Sequence, residues 1–204
     1  SNSISVLCAE GAVFTAVQGL DADIIRISTD ATGYSDDRNI SVSWTGGKFD
    51  MRLQARSTSV PFADDYPAQG AGGQGTSATT DGLAVRGEVN DGGTRKAGLY
   101  RIIIKEVMCW ASDTNHWLTS GGDSGVFASG SRHVQVTDSL FIGCRDLGIY
   151  ASGISEGAIT GVSCIMSRNK FVGCMYGCAS KRFLDNTVIT DNVGFNTASV
   201  CTST

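Results

Sequence analysis

Residues 125–130 read GVFASG and residues 148–153 read GIYASG, so the same pattern returns 23 residues later. A second match joins FIGC at 141–144 to FVGC at 171–174, with a spacing of 30 residues. Near-identical segments at the distance of one structural unit occupy equivalent places in successive units. The two matches therefore predict a repeat protein whose units vary in length.

Short apolar runs surround these matches and are bounded by Gly, Asn, Asp and Ser, a pattern typical of short strands. Such runs occur at 24–27 and 40–44. Two apolar positions recur further along the chain, at Ile102 and Ile104, Val134 and Val136, and Cys164 and Met166. No long segment follows the 3.6-residue period of a helix.

These features favour an all-β fold, a solenoid of about six to seven parallel coils. Its inward apolar side chains should stack in columns at the ~4.8 Å spacing of neighbouring strands. An antiparallel sandwich is the alternative, since it too is rich in short strands. A sandwich does not explain a repeat at the distance of one coil.

A third alignment places residues 169–178 over residues 186–195, at an offset of 17. It superposes Asn169 on Asn186 and Gly177 on Gly194. Asn tolerates the left-handed backbone conformation better than most residues, so a recurring Asn indicates a tight corner between strands. The alignment predicts such a corner at both asparagines.

The composition is that of a Gly-rich globular chain: of 204 residues, 26 are Gly, 2 are Pro and 18% are charged. A disordered tail would carry more charge and fewer apolar residues. The formal net charge is -4 without a Lys/Arg cluster, which argues against a nucleic-acid groove. No run approaches the ~20 apolar residues of a membrane-spanning helix. We expect one domain over residues 1–204, with no nucleic-acid partner and no membrane span.

The chain has seven cysteines, an odd number in a protein large enough to fold without disulfides. Cys174 and Cys178 are spaced C-x3-C, but no second pair completes a zinc site, and the histidines are His116 and His133. We therefore expect seven reduced cysteines that pack as small apolar core residues.

Several of these segments resemble coils of a known family. NISV at 39–42 followed by GGKF at 46–49 resembles a coil of the right-handed parallel β-helices of the pectate-lyase class. GDSGVF at 122–127 and RDLGIYASG at 145–153 are similar to coils of the β-helix domains of bacteriophage tailspikes and tail fibres. The resemblance extends over roughly residues 4–204.

The resemblance implies a right-handed, single-stranded parallel β-helix in a homotrimeric virion protein that binds, and often cleaves, host surface polysaccharide. It also implies other virion tail proteins as partners and action outside the host cell. The opening segment Gly-Asp-Gly-x-x-Asp-Asp-Thr and the β-rich trimerisation tail of such proteins do not occur in this sequence. Because the sequence also starts without Met, we expect a segment of a longer protein.

Two long excursions interrupt the predicted coils, at 56–81 and 112–122. Long irregular loops in a compact domain are often binding loops. The first contains both prolines and Tyr66, and the second contains His116 and Trp117. An aromatic side chain beside polar groups is a platform on which a sugar ring packs. Tyr66, His116 and Trp117 are therefore candidate substrate-binding residues, although Trp117 could equally cover the edge of a coil.

Asp123 and Asp146 each lie two residues before the matched glycine of the 23-residue repeat. Equivalent positions stack in a parallel β-helix, so we expect the two carboxyl groups about 5 Å apart on one face. That spacing is close to the ~5–5.5 Å between the catalytic carboxyls of retaining glycosidases. Two such groups cannot both ionise freely, so one pKa should rise and leave an acid and a base. Met175 and Asn192 are predicted to continue this column without charge.

Arg145, His116 and Glu106 are the neighbours expected around the pair. Arg145 can hold the carboxylate of an anionic sugar by two parallel hydrogen bonds. Two further roles for the aspartates stay open. Asp before Gly is common in turns, where its side chain bonds the local backbone, and two stacked carboxylates also suit a shared Ca2+.

Two functions of different classes follow. In the first, the chain is a glycan depolymerase domain in which Asp123 and Asp146 are the catalytic pair of a hydrolase; a lyase would instead use a basic residue such as Arg132 or Lys105. In the second, it is a non-catalytic adhesin or structural spike of a phage or bacterial surface, whose loops only bind. Neither function calls for a cofactor, apart from the Ca2+ considered above.

Overall fold

The computed structural model describes residues 3–20, 22–29, 40–54, 80–91, 94–113, 123–153, 161–181, 183–197 and 199–203. Within these ranges the regular structure is entirely β, with no helix. The strands are β1 (Ile4–Leu7), β2 (Val13–Thr15), β3 (Ile25–Ser28), β4 (Ser41–Thr45), β5 (Lys48–Asp50), β6 (Leu83–Arg86), β7 (Glu88–Asp91), β8 (Thr94–Ala97), β9 (Leu99–Lys105), β10 (Met108–Trp110), β11 (Val126–Ser129), β12 (Ser131–Thr137), β13 (Leu140–Ile142), β14 (Leu147–Ser152), β15 (Gly161–Ser167), β16 (Lys170–Val172), β17 (Tyr176–Lys181), β18 (Phe183–Thr190), β19 (Val193–Phe195) and β20 (Ser199–Ser203).

Three parallel sheets of six strands each contain all of these strands except β7 and β8. The first sheet has the order β1-β4-β9-β12-β15-β18, the second β2-β5-β10-β13-β16-β19, and the third β3-β6-β11-β14-β17-β20. The chain therefore visits the three sheets in the same order six times. This arrangement excludes the antiparallel sandwich, and it is consistent with the predicted solenoid.

The register of the sheets agrees with the two strongest sequence matches. Val126 pairs with Ile149 in the third sheet, and Phe141 pairs with Phe171 in the second. The two phenylalanine rings are fully buried and stacked, with their centroids 5.4 Å apart. A Cβ on Gly148 would lie 2.5 Å from the ring of Phe171. The repeated glycine therefore leaves the space that the stacked rings fill.

The core lies between the sheets, on the faces that the apolar positions predicted. In the first sheet Ile102 pairs with Val134, which pairs in turn with Cys164. All three side chains are buried, at 1% exposure or less. Burying such side chains is the main source of stability in a fold of this kind.

The alignment at an offset of 17 is wrong. Phe171 pairs with Gly194, at an offset of 23, so Gly177 does not lie over Gly194. Side chains alternate between the two faces of a strand with a period of two, so an error of six residues preserves the alternation and goes unnoticed in the sequence. The residue equivalent to Asn169 is Asn192, and Asn186 lies inside β18. Because Asn192, like Asn169, lies between a strand of the first sheet and a strand of the second, it does not continue the column of Asp123 and Asp146.

The corner between the first and second sheets uses the left-handed conformation one residue before the predicted asparagine. Four non-glycine residues take this conformation at equivalent corners, with φ between 56° and 57°: Glu106, Asp138, Arg168 and Asp191. These corners lead the chain from the first sheet into the second, at the cost of a backbone conformation that L-residues disfavour.

Asn169 follows such a residue and has a different role from the one predicted. Its side chain is fully buried, and its Oδ1 accepts a hydrogen bond from the Ser139 N–H (3.1 Å). Its Nδ2 donates to the Val136 carbonyl and to Asn192 Oδ1, each at 3.0 Å. The asparagines therefore join neighbouring coils through their amides.

β7 and β8 form an antiparallel hairpin between β6 and β9, which the sequence analysis did not predict. The sequence NDGG at 90–93 contains the Asp-Gly pair typical of hairpin turns.

The two predicted excursions, 56–81 and 112–122, lie mostly outside the described residues. The described part of the chain resumes at Thr80 in the first excursion and stops at Asp113 in the second. Thr80 and Asp81, the last two residues of the first predicted excursion, are buried and precede β6.

All seven cysteines are free thiols. Five are buried, in agreement with the prediction: Cys109, Cys144, Cys164, Cys174 and Cys178. Cys8 is half-buried and packs against the core, whereas Cys201 is exposed, so the prediction of a core position is wrong for Cys201.

Candidate active site

A line of aspartates runs along the edge of the third sheet at which its strands begin. Asp23, Asp81, Asp123 and Asp146 precede β3, β6, β11 and β14. The Asp81 N–H donates to Asp23 Oδ1 at 3.1 Å, and the Asp146 N–H donates to the Asp123 carbonyl at 3.0 Å. Asp123 and Asp146 are therefore neighbours on successive passes of the chain, at the offset of 23 that the repeat predicts.

Asp123 is a buried, ion-paired carboxylate. Its Oδ1 accepts a hydrogen bond from Arg145 Nε (2.7 Å) and lies 2.5 Å from Arg145 Nη2. Its Oδ2 accepts a hydrogen bond from the Thr80 hydroxyl at 3.0 Å. The residues Asp123 and Arg145 are only 5% and 6% exposed. The Arg145 guanidinium, which the sequence assigns to an anionic sugar, is therefore directed at Asp123.

Asp146 differs from its neighbour because it is half-buried and carries a raised pKa. Burial raises the pKa of Asp146 to about 7, with a further contribution from the negative charge of Asp123. The cations Arg145 and Lys181 act in the opposite direction. A carboxyl group with a pKa near neutrality can hold a proton and release it, which is the property of a general acid.

Two further acids of the line were missed by the sequence analysis. Asp81 is buried, and burial followed by the charge of Asp23 raises its pKa well above the ordinary value. Arg86 Nη2 lies 3.0 Å from Asp81 Oδ2, and Arg26 Nε lies 2.7 Å from Asp23 Oδ2. The strands of the third sheet therefore start next to a row of aspartates whose negative charge is partly neutralised by arginines.

An aromatic pair lies on the outer face of the third sheet, beyond the aspartates. Phe127 and Tyr150 are half-buried, and their ring centroids are 5.0 Å apart. The Arg86 guanidinium lies 4.2 Å from the Phe127 ring, and Lys181 Nζ lies 5.2 Å from the Tyr150 ring. The sequence contained this signal, because Phe127 and Tyr150 are the third letters of the 23-residue repeat.

A second aromatic side chain with cations belongs to the outer face of the second sheet. Lys48 Nζ lies 4.0 Å from the Trp110 ring, and the Arg52 guanidinium lies 3.6 Å from it. Arg52 also pairs with Asp50 and Asp113, each at 2.6 Å. We place the candidate site on the third sheet, because Asp146, the carboxyl group with a pKa of about 7, lies at the edge of that sheet.

The remaining predicted residues are distributed as follows. Tyr66, His116 and Trp117 lie outside the described residues. Glu106 lies at the turn that follows β9, between the first and second sheets, and so not at the edge that holds Asp123. Met175 takes the place in the aspartate column that the sequence predicts, since Leu147 pairs with Tyr176 one position later.

Within the described ranges, no group of three or more His, Cys, Asp or Glu side chains is arranged to hold a metal ion. The same part of the chain contains no helix long and apolar enough to span a membrane.

Comparison with protein-family models, curated proteins and solved structures finds no match.

Proposed function

We propose that the chain is a right-handed parallel β-helix domain of the tailspike or tail-fibre type, which binds host surface polysaccharide and hydrolyses it with Asp146 as the general acid. The observation that carries this proposal is a half-buried carboxyl group whose pKa is about 7, next to an ion-paired carboxylate. The three parallel sheets and their order along the chain support the β-helix. The homotrimer, the other tail proteins and the virion location rest on the resemblance of the repeated segments.

Hydrolysis of a glycosidic bond requires a proton on the leaving oxygen, and Asp146 has the pKa to donate it near neutral pH. Asp123 favours the protonated form of Asp146, because its negative charge disfavours a second charge nearby. The same charge favours the positive charge that develops on the sugar ring in the transition state. Since both oxygens of Asp123 already accept hydrogen bonds, we assign it this electrostatic role, with water as the attacking group.

The outer face of the third sheet supplies a platform for the sugar. Phe127 and Tyr150 present adjacent rings, on which the apolar faces of sugars pack. Lys181 lies near the Tyr150 ring and also acts on Asp146. A cation beside the platform favours a polysaccharide that carries carboxylate or other anionic groups.

A second candidate function is a non-catalytic adhesin or structural spike. One observation favours it: the bonds from Arg145 and Thr80 to Asp123 join successive passes of the chain, as a purely structural network does. In that case the third sheet binds glycan without cleaving it. Cleavage products distinguish the two functions.

The test incubates the wild-type chain and an Asp146→Asn variant with a panel of acidic and neutral bacterial surface polysaccharides. New reducing ends report hydrolysis, and absorbance of an unsaturated uronate reports a lyase. We expect hydrolysis of an acidic polymer by the wild type and a loss of about 100-fold or more in the variant, since general acid catalysis contributes ~10^2–10^4. An Asp146→Asn variant that cleaves at the full rate contradicts the assignment, and binding without products supports the adhesin.

Binding is measured separately with Tyr150→Ala, which removes half of the platform. Tyr100→Ala is the matched control, because Tyr100 is a half-buried tyrosine that packs edge-to-face against His133 of the first sheet. We expect the Tyr150 variant alone to lose affinity for the polysaccharide. Equal affinity in the two variants would place the glycan elsewhere on the protein.

A further inference from the structure

Two thiols meet on neighbouring strands at one end of the third sheet. Cys178 on β17 pairs directly with Cys201 on β20, and their Sγ atoms are 3.4 Å apart. Cys178 is fully buried, whereas Cys201 is exposed. In the described part of the chain β20 is the last strand of its sheet, which explains why one thiol of the pair is accessible to solvent.

The geometry suits a covalent bond between them. A disulfide requires Cα atoms about 4.4–6.8 Å apart, and directly paired residues on neighbouring strands satisfy this at the ~4.8 Å strand spacing. The sulfur atoms need only approach from 3.4 Å to about 2.05 Å, a movement that side-chain rotation can supply.

We propose that Cys178 and Cys201 are a redox-active dithiol, which a small disulfide such as oxidised glutathione converts to a disulfide. The Cys201 thiolate attacks one sulfur of the oxidant and releases one glutathione thiolate. The Cys178 thiolate then attacks the Cys201 sulfur of the mixed disulfide and releases the second glutathione. The two protein thiols lose two electrons and two protons, which the oxidant gains as it becomes two glutathione thiols.

The other cysteines differ in access. Cys144 and Cys174 also interact with each other, but both are fully buried, so a dissolved oxidant does not reach them. Cys8 is half-buried near Gly47, at the other end of the chain. Burial and the neighbouring Cys201 raise the pKa of Cys178, so the second step should accelerate as the pH rises.

The experiment treats the reduced chain with oxidised glutathione at about pH 8.5, where more of the thiols are ionised. The protein is then unfolded, its free thiols are alkylated, and its mass is measured. We expect two of the seven thiols to escape alkylation, with no retained glutathione. Tryptic digestion should join the peptide 171–181 to the peptide that begins at residue 183.

Three variants identify the bond. Cys201→Ser should keep all of its remaining thiols alkylatable, whereas Cys8→Ser should form the bond as the wild type does. Cys174→Ala distinguishes the two cysteines of peptide 171–181, and it should still form the bond. The proposal is overturned if the wild type retains all seven thiols, if glutathione persists on Cys201, or if Cys174→Ala abolishes the joined peptides.

Discussion

At the scale of single residues, two Arg–Asp pairs allow the effect of burial to be measured within one protein. The side chains of Arg145 and Asp123 are each 7% exposed, whereas those of Arg168 and Asp138 are 58% and 36% exposed. Removing one partner of a buried pair leaves an uncompensated charge and costs ~3–5 kcal/mol. We expect Arg145→Ala to lower the free energy of unfolding by about 3 kcal/mol, and Arg168→Ala by less than about 1 kcal/mol. Urea denaturation of both variants measures the difference, and equal losses would contradict it.

Asp146 should give the protein a specific dependence of stability on pH. Its pKa is raised from 3.8 to about 7 in the folded chain, so between these values the folded state binds a proton that the unfolded state has lost. The contribution of Asp146 to the free energy of unfolding therefore decreases as the pH rises through this window, and it is constant above it.

Asp146→Asn, which is neutral at every pH, removes this decrease. We expect the difference in unfolding free energy, variant minus wild type, to increase by about 2 kcal/mol from about pH 5 to pH 8. This value allows for partial solvation of the carboxyl group. Urea denaturation at a series of pH values measures the gain. Parallel curves for the two proteins would show that the pKa of Asp146 is not raised.

The candidate site could be predicted from the sequence only where the repeat has constant length. Asp123 and Asp146 were found as neighbours because the match between their coils is nearly letter for letter. Asp81 is one residue out of register with Asp123, since Leu83 pairs with Val126, and the pass between them contains the hairpin, so the repeat did not align the two acids. The sequence also cannot tell whether an arginine beside an acid faces a ligand or that acid, and Arg145 faces Asp123.

At the scale of an element, the corner between the first and second sheets has a measurable backbone cost. Glu106 has a φ of 56° and an exposed side chain, so its replacement tests the backbone more than the packing. The left-handed conformation costs an L-residue ~1–2 kcal/mol and costs glycine much less. We expect Glu106→Gly to match or exceed the wild type in thermal stability and Glu106→Val to lose about 1 kcal/mol or more, because β-branched residues tolerate this conformation least. A valine variant as stable as the glycine variant would contradict this expectation.

The strands and their alternation were predictable as elements, but their register was predictable only in part. Phe141 and Phe171 were correctly aligned because each lies in the same four-residue pattern. Asn169 was aligned with Asn186 because the period of two permits several offsets, and the buried amide contact that selects Asn192 exists only in three dimensions. The αL residues were not predictable from type, since Glu, Asp and Arg all occupy this position.

At the scale of the whole molecule, each pass of the chain contacts mainly the passes before and after it, because every pairing in the three sheets joins successive passes. The stability of such a protein is approximately a sum over repeats and the interfaces between them. A whole pass should therefore be removable, provided that the remaining strands return to the same sheets.

Removal of residues 138–167 tests this additivity. Thr137 pairs with Ser167, so the deletion joins two equivalent positions: β12 then leads into β16, and Phe171 takes the place of Phe141 in the core. Removal of residues 138–152 is the control, because it joins β12 to β15, which belongs to the same sheet. We expect the first variant to unfold cooperatively on heating, with a melting temperature lowered by a few degrees, and the second to lose cooperative unfolding. Circular dichroism follows both transitions, and a control variant that folds as well as the first would show that the passes are not interchangeable units.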